Sequence, residues 1–87
     1  MKSFEIVRKN FRSHALTIRS LARDDPSFRE LCEDYEEATT AVAFWQEPHR
    51  RSEERVIEYR HLVIELEAEI EAALAKRTPE VAHKANR

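Results

Sequence analysis

Glycine is absent from this chain of 87 residues, although an average protein contains about 7% glycine. Phosphate-binding loops and dinucleotide-binding turns need glycine where the backbone approaches the ligand closely, so the absence excludes both kinds of site. It also argues against hairpins built on glycine turns, and therefore against most all-β folds. The abundant residues are Leu, Ala, Glu and Arg, which are good helix formers. The composition predicts an all-α protein, and the length allows a single domain.

Cysteine and long apolar runs are also scarce. The single cysteine, Cys32, excludes an intramolecular disulfide framework and favours a reducing compartment, so a cytoplasmic location is expected. No apolar run approaches the roughly 20 residues of a membrane span. Arg8, Lys9 and Arg12 interrupt the N-terminal apolar residues, which is unlike a secretory signal.

Three prolines, at positions 26, 48 and 79, disfavour helix in the residues before them and mark boundaries. Between these boundaries, apolar residues recur at steps of three and four, the spacing of one helix face. The pattern predicts helices over about 4–22, 27–45 and 52–76 within a single domain of residues 1–77. The polar segment 78–87 is expected to be a disordered tail.

Two N-caps compete for the start of the second helix. Asp25 is followed by proline, which suits an N-cap with proline at the first helical position. Ser27 and Glu30 have the spacing of a capping box. Ser52, followed by two glutamates, is the expected N-cap of the third helix.

Two helices joined by about six residues should fold back on each other in antiparallel fashion. The expected fold is therefore all-α: a long, coiled-coil-like helical hairpin with an additional N-terminal helix. Trp45, with Phe44 beside it, is the last apolar residue on the buried face of the second helix. It is expected either to close the end of the contact between the two hairpin helices or to anchor an interface with another protein. Several large apolar residues lie outside the stripes. They are Phe44, Ile57, Leu62 and Ile64, and either the N-terminal helix covers them or they form a contact surface.

The stretch from Phe11 to Leu74 resembles the YdcH-like family of small bacterial helical-hairpin proteins, which have no assigned activity. The similarity rests on a leucine, a Pro-x-Phe step, a second leucine and an aromatic residue, together with a second long helix ending in Glu-Ile. In this chain the residues are Phe11, Ile18, Leu21, Asp25, Pro26, Ser27, Phe28, Leu31, Tyr35, Glu69 and Ile70. The family's last helix tends to be rich in lysine, whereas here residues 65–69 read Glu-Leu-Glu-Ala-Glu. The resemblance implies a fold but supplies no catalytic residues.

Charge is segregated along the chain. Residues 1–23 hold six Lys or Arg and one Glu, a net charge of +5. Residues 24–47 hold eight Asp or Glu and one Arg, a net charge of −7, and residues 52–75 hold seven Glu and two Arg, a net charge of −5. The basic N-terminal helix could dock on its own acidic hairpin, dock on the hairpin of another chain, or bind an anionic membrane surface. Its basic residues are Arg8, Lys9, Arg12, Arg19 and Arg23. Nucleic-acid binding is not expected, because the acidic bulk would repel phosphates.

Few residues have a spacing that suggests chemistry. Glu58 and His61 form a Glu-x-x-His step, as in carboxylate-bridged metal sites, but they lie off the apolar stripe and are expected to face water. Cys32 lies among acidic residues, which discourages thiolate formation. We therefore expect no enzyme, metal, cofactor or small-molecule substrate. The sequence favours a non-catalytic helical protein–protein interaction module that associates with itself or with another helical protein. The alternative is a peripheral binder of anionic membrane surfaces.

Overall fold

A computed structural model of the protein describes residues 3–77, and within that range the chain is all-α. It contains four helices, α1 (Glu5–Asn10), α2 (Ala15–Asp24), α3 (Pro26–Gln46) and α4 (Glu53–Arg77). One turn of 3₁₀ helix separates α1 from α2 (Arg12–His14), and another lies between α3 and α4 (Pro48–Arg50). Helices α3 and α4 form the antiparallel hairpin expected from the sequence. The disordered tail proposed for residues 78–87 lies outside the described residues.

The two hairpin helices begin at capped positions. Of the two N-caps that compete for α3, Asp25 is the one used. Its Oδ1 accepts hydrogen bonds from the backbone N–H of Ser27 at 3.0 Å and of Phe28 at 3.3 Å, with proline at the first helical position. Before α4, the Ser52 hydroxyl accepts from the Arg55 N–H at 3.3 Å, so both caps satisfy backbone donors that a helix start leaves free.

The expectation of one continuous N-terminal helix over 4–22 is wrong. Phe11 leaves the helical conformation, with φ −122° and ψ 55°, and after one turn of 3₁₀ helix the α-helix resumes at Ala15. Two contacts to the hairpin stabilise the break: the Phe11 ring packs edge-on against Tyr35, with centroids 6.1 Å apart, and the Asn10 amide donates to the Tyr35 hydroxyl at 2.8 Å.

The buried core occupies one end of the hairpin, where α1 and α2 pack on it. Its side chains come from all four helices and the residue before α1. They are Phe4, Val7, Ile18, Leu21, Ala22, Phe28, Cys32, Tyr35, Ala38, Leu66, Ile70 and Leu74. Between Ala38 and Leu66 no residue is buried. We call residues 39–65, with the turn at their middle, the arm.

The arm makes the molecule elongated. The dimensions are 53 × 30 × 19 Å and the radius of gyration is 15.0 Å, against about 12 Å for a compact chain of this length. The N-terminal helices therefore do not extend over the apolar residues of the arm. Those residues remain at the surface of the single chain.

Candidate functional site

Three of the five residues predicted to form an interaction surface lie together on one side of the arm. Phe44, Trp45 and Leu62 line a shallow groove of about 550 Å³ between α3 and α4. Phe44 is 43% exposed and Leu62 is 39% exposed, while Trp45 is half-buried. The remaining apolar lining consists of Ala38, Ala41, Tyr59 and Leu66. We call this feature the groove.

Ile57 and Ile64 lie on the opposite flank of α4. They are seven residues apart and so share one line along the helix, whereas Leu62 lies about 150° around the helix from that line. Both are more exposed than the groove residues, at 56% for Ile57 and 62% for Ile64. The single surface expected from the sequence is therefore two separate patches.

The aromatic pair at the tip of the arm is held by cations. The Phe44 and Trp45 rings meet edge-on, with centroids 4.9 Å apart and an interplanar angle of 83°. The Arg50 guanidinium lies 4.0 Å above the Phe44 ring, and that of Arg55 lies 4.7 Å above Trp45. Such cation–π contacts place positive charge at fixed positions next to exposed aromatic surface.

The two ends of the groove carry opposite charge. Arg50 and Arg55 stand at the tip end. Asp34 and Glu37 line the other end, on α3. About 10–16 Å of helix separates these carboxylates from the aromatic pair, which exceeds the screening length of about 8 Å at physiological ionic strength. The groove is therefore apolar along its floor, with two guanidinium groups over the aromatic pair at the tip end and two carboxylates at the other end.

The basic residues of the N-terminal region do not form one exposed helix face. Lys9 and Arg12 are exposed and lie on α1 and on the 3₁₀ turn. Arg19 and Arg23 are exposed as well, but they line a cavity together with the half-buried Arg8 and with Arg29 of α3. The other large apolar side chains of the same two helices are buried in the core or packed against it, and only Leu16 of α2, at 80% exposed, is free to contact a bilayer in this structure.

A partly buried polar network joins α1 to the hairpin. The Tyr35 hydroxyl accepts from Asn10 at 2.8 Å and donates to Glu67 Oε2 at 2.9 Å, and Glu36 accepts from the Val7 N–H at 2.8 Å. Burial raises the pKa of Tyr35 to about 12, the Asn10 hydrogen bond lowers it, and the Glu67 carboxylate raises it further. The hydroxyl therefore stays protonated and holds the helices together rather than acting as a base.

Cys32 has no exposed surface. Burial raises the pKa of its thiol to about 12, with Glu36 and Glu33 adding to the shift. A thiol in this setting is a weak nucleophile. Glu58 and His61 are both exposed, and across residues 3–77 no group of three or more His, Cys, Asp or Glu residues is placed to hold a metal ion.

Sequence reasoning missed the gathering of arginines around one cavity. Arg29 lies in the most acidic part of the sequence, and its partners are carbonyl oxygens of Ala22 and Arg23, at 2.8 Å and 2.9 Å. The sequence did contain a signal for this arrangement. Arg29 is a single basic residue in the first turn of α3, and α3 begins directly after the end of α2. It could have been recognised as a cation near the C-terminus of the preceding helix.

Comparison with family models, with curated proteins and with solved structures found no match to this chain. The resemblance to the YdcH-like family therefore stays a prediction. None of the helices described is long and apolar enough to cross a membrane.

Proposed function

We propose that this protein is a non-catalytic interaction module that associates with a second copy of itself through the groove of the arm. The observation that supports the proposal is an apolar groove that stays open where the arm meets the core: it runs from the buried Ala38 and Leu66 to Phe44 and Leu62, which are 43% and 39% exposed. Apolar patches that remain open on a small soluble domain are commonly sites of association. Aromatic side chains at such a site are typical anchors of an interface.

The charge at the ends of the groove favours a second copy in antiparallel orientation. Two-fold pairing of the groove with itself would place Arg50 and Arg55 of one copy near Asp34 and Glu37 of the other. Parallel pairing would place like charges together, which costs interaction energy. The same surface would contribute from both copies, as in most two-fold dimers.

Sedimentation equilibrium over a range of protein concentrations tests the proposal. The wild-type chain is expected to form a dimer, and Leu62→Glu is expected to weaken it at least tenfold, because the new carboxylate would be buried in the interface. Ile64→Glu is the matched control, since it introduces the same charge on the opposite flank of the same helix. It should leave the dimer within about twofold of wild type, as for a screened surface charge.

A charge exchange distinguishes the antiparallel arrangement from any other. Arg55→Glu and Glu37→Arg should each weaken association, and the double variant should restore it, because the pair is regenerated across the two-fold axis. The rescue also separates an interface effect from loss of folding, since the Arg55 contact with Trp45 stays lost in the double variant. A chain that stays monomeric at every concentration, or a dimer that Leu62→Glu and Ile64→Glu weaken equally, would contradict the proposal.

A further inference from the structure

The cavity between α1, α2 and α3 is distinct from the groove of the arm and is strongly positive. Its volume is about 670 Å³. The charged lining consists of four arginines and one glutamate, a formal charge of +3. The complete lining consists of Ser3, Phe4, Arg8, Arg19, Ala22, Arg23, Arg29 and Glu33. We call it the arginine cavity.

Most of this positive charge is not neutralised by carboxylates. Arg23 pairs with Asp24 at 3.1 Å, in an exposed position. Among the described residues, no carboxylate oxygen lies within 4 Å of a guanidinium nitrogen of Arg8, Arg19 or Arg29. Glu33 lines the same cavity but forms no ion pair with these arginines. Arg29 donates to two backbone carbonyls of α2, which fixes its guanidinium without cancelling its charge.

One donor of the arginine cavity is buried without an acceptor. The Nε of Arg8 has no hydrogen-bond partner among the described residues, although it is shielded from water. Buried donors in folded proteins nearly always find a partner, so an orphan on a charged group is unusual and costly. The positive charge of this side chain stays without a hydrogen-bonded counter-charge at Nε, so an anion in the cavity would stabilise it electrostatically.

The wall of the arginine cavity is also strained. Phe4 adopts a left-handed conformation, with φ 52° and ψ 50°, which is uncommon for a bulky residue. Its side chain is buried and lines the cavity together with Ala22. Backbone strain of this kind is concentrated at ligand sites, where the surrounding structure maintains it.

We propose that the arginine cavity binds the phosphate monoester group of a small organic molecule. Guanidinium groups offer planar, paired N–H donors that match phosphate oxygens. A volume of several hundred Å³ is typical of pockets for whole small molecules, so the organic part has room to lie against Phe4 and Ala22. Glu33 repels the phosphate and weakens binding, which gives the site a residue whose neutralisation should raise affinity.

Glycerol 3-phosphate is the probe, and the Arg Nε–H resonances of the isotope-labelled protein report where it binds. The Arg8 and Arg29 resonances should shift in a saturable way. Arg19→Gln should lower the affinity about tenfold or more, as expected for loss of a charge-assisted hydrogen bond. Glu33→Gln should raise the affinity, a direction that partial unfolding could not produce. Arg12→Gln removes the same charge outside the cavity and should change the affinity by no more than about twofold.

The same group occurs in the headgroup of phosphatidic acid, and a second arm distinguishes that source. Co-sedimentation with vesicles of phosphatidylcholine containing phosphatidic acid, lost in Arg19→Gln and kept in Arg12→Gln, would assign a lipid headgroup. Binding of glycerol 3-phosphate alone would assign a soluble ligand. Either result supports a phosphate monoester site. Binding in neither arm, or equal loss in Arg19→Gln and Arg12→Gln, would overturn it.

Discussion

Two isoleucines of α4 provide a matched test of where the core lies. Ile70 has no exposed surface, whereas Ile64, less than two turns earlier on the same helix, is 62% exposed. Replacing each by alanine removes the same three carbons from the same helix. The difference between the two variants therefore isolates burial, because the change in intrinsic helix propensity is the same in both.

The expected magnitudes differ widely. At about 0.8 kcal/mol per buried carbon, Ile70→Ala loses about 2.4 kcal/mol of transfer free energy, and the cavity left behind raises the cost to about 3–4 kcal/mol. Ile64→Ala should lie within about 0.5 kcal/mol of wild type, as for other surface substitutions. A domain of this size has a free energy of unfolding of about 4–13 kcal/mol, so Ile70→Ala removes a large share of it.

Urea denaturation followed by far-ultraviolet circular dichroism measures both variants, at a protein concentration low enough to keep the chain monomeric. Ile70→Val, expected to cost about 0.5–1.5 kcal/mol, keeps the comparison measurable if Ile70→Ala is already unfolded in water. Equal losses for Ile64→Ala and Ile70→Ala would refute the assignment of the core to the end of the hairpin that α1 and α2 cover.

Two further predictions concern the N-cap of α3 and the buried acids. Asp25→Ala should lower the free energy of unfolding by about 1 kcal/mol, because the cap is lost. Asp25→Asn should keep most of the wild-type stability, since the amide oxygen still accepts the two backbone hydrogen bonds. An equally large loss in Asp25→Asn would contradict the role of Asp25 as the N-cap. Because folding raises the pKa of Cys32 from 9.0 to about 12 and that of Tyr35 from 10.0 to about 12, the folded state favours their neutral forms. Their contribution to stability is complete below about pH 9 and is lost as the pH rises toward 12, by up to about 1.4 kcal/mol per pH unit for each group. Urea titrations above pH 9 should show a shallower loss in Cys32→Ala than in wild type, and identical slopes would show that the thiol is not shielded.

The hairpin could be predicted from local signals. Pro26 and Pro48 mark the starts of α3 and of the connecting turn, and the caps at Asp25 and Ser52 follow from side-chain chemistry within a few residues. These features depend on short stretches of chain, which is why spacing and residue type were enough. The competition between Asp25 and Ser27 was the one local question that the sequence left open.

The break at Phe11 and the arginine cavity could not be predicted in the same way. The break depends on Asn10 and Phe11 meeting Tyr35, a partner about 25 residues away in sequence. The cavity depends on arginines of α1 and α2 meeting Arg29, in a stretch whose net charge is negative. Periodicity and net charge describe one segment at a time and carry no information about such meetings. The position of Glu67 could not be predicted either. Its half-buried carboxylate on α4 is explained by the hydrogen bond that it accepts from the Tyr35 hydroxyl of α3.

Amide hydrogen exchange at low and high protein concentration reports whether a second copy covers the groove of the arm. If a second copy covers the groove, the amides of residues 34–46 and 53–66 become slower to exchange as concentration rises, while those of 69–74 change less. Leu62→Glu should abolish the concentration dependence and Ile64→Glu should keep it. Exchange in the arm that is independent of concentration, at concentrations where the protein sediments as a dimer, would show that the copies meet elsewhere and would contradict the account.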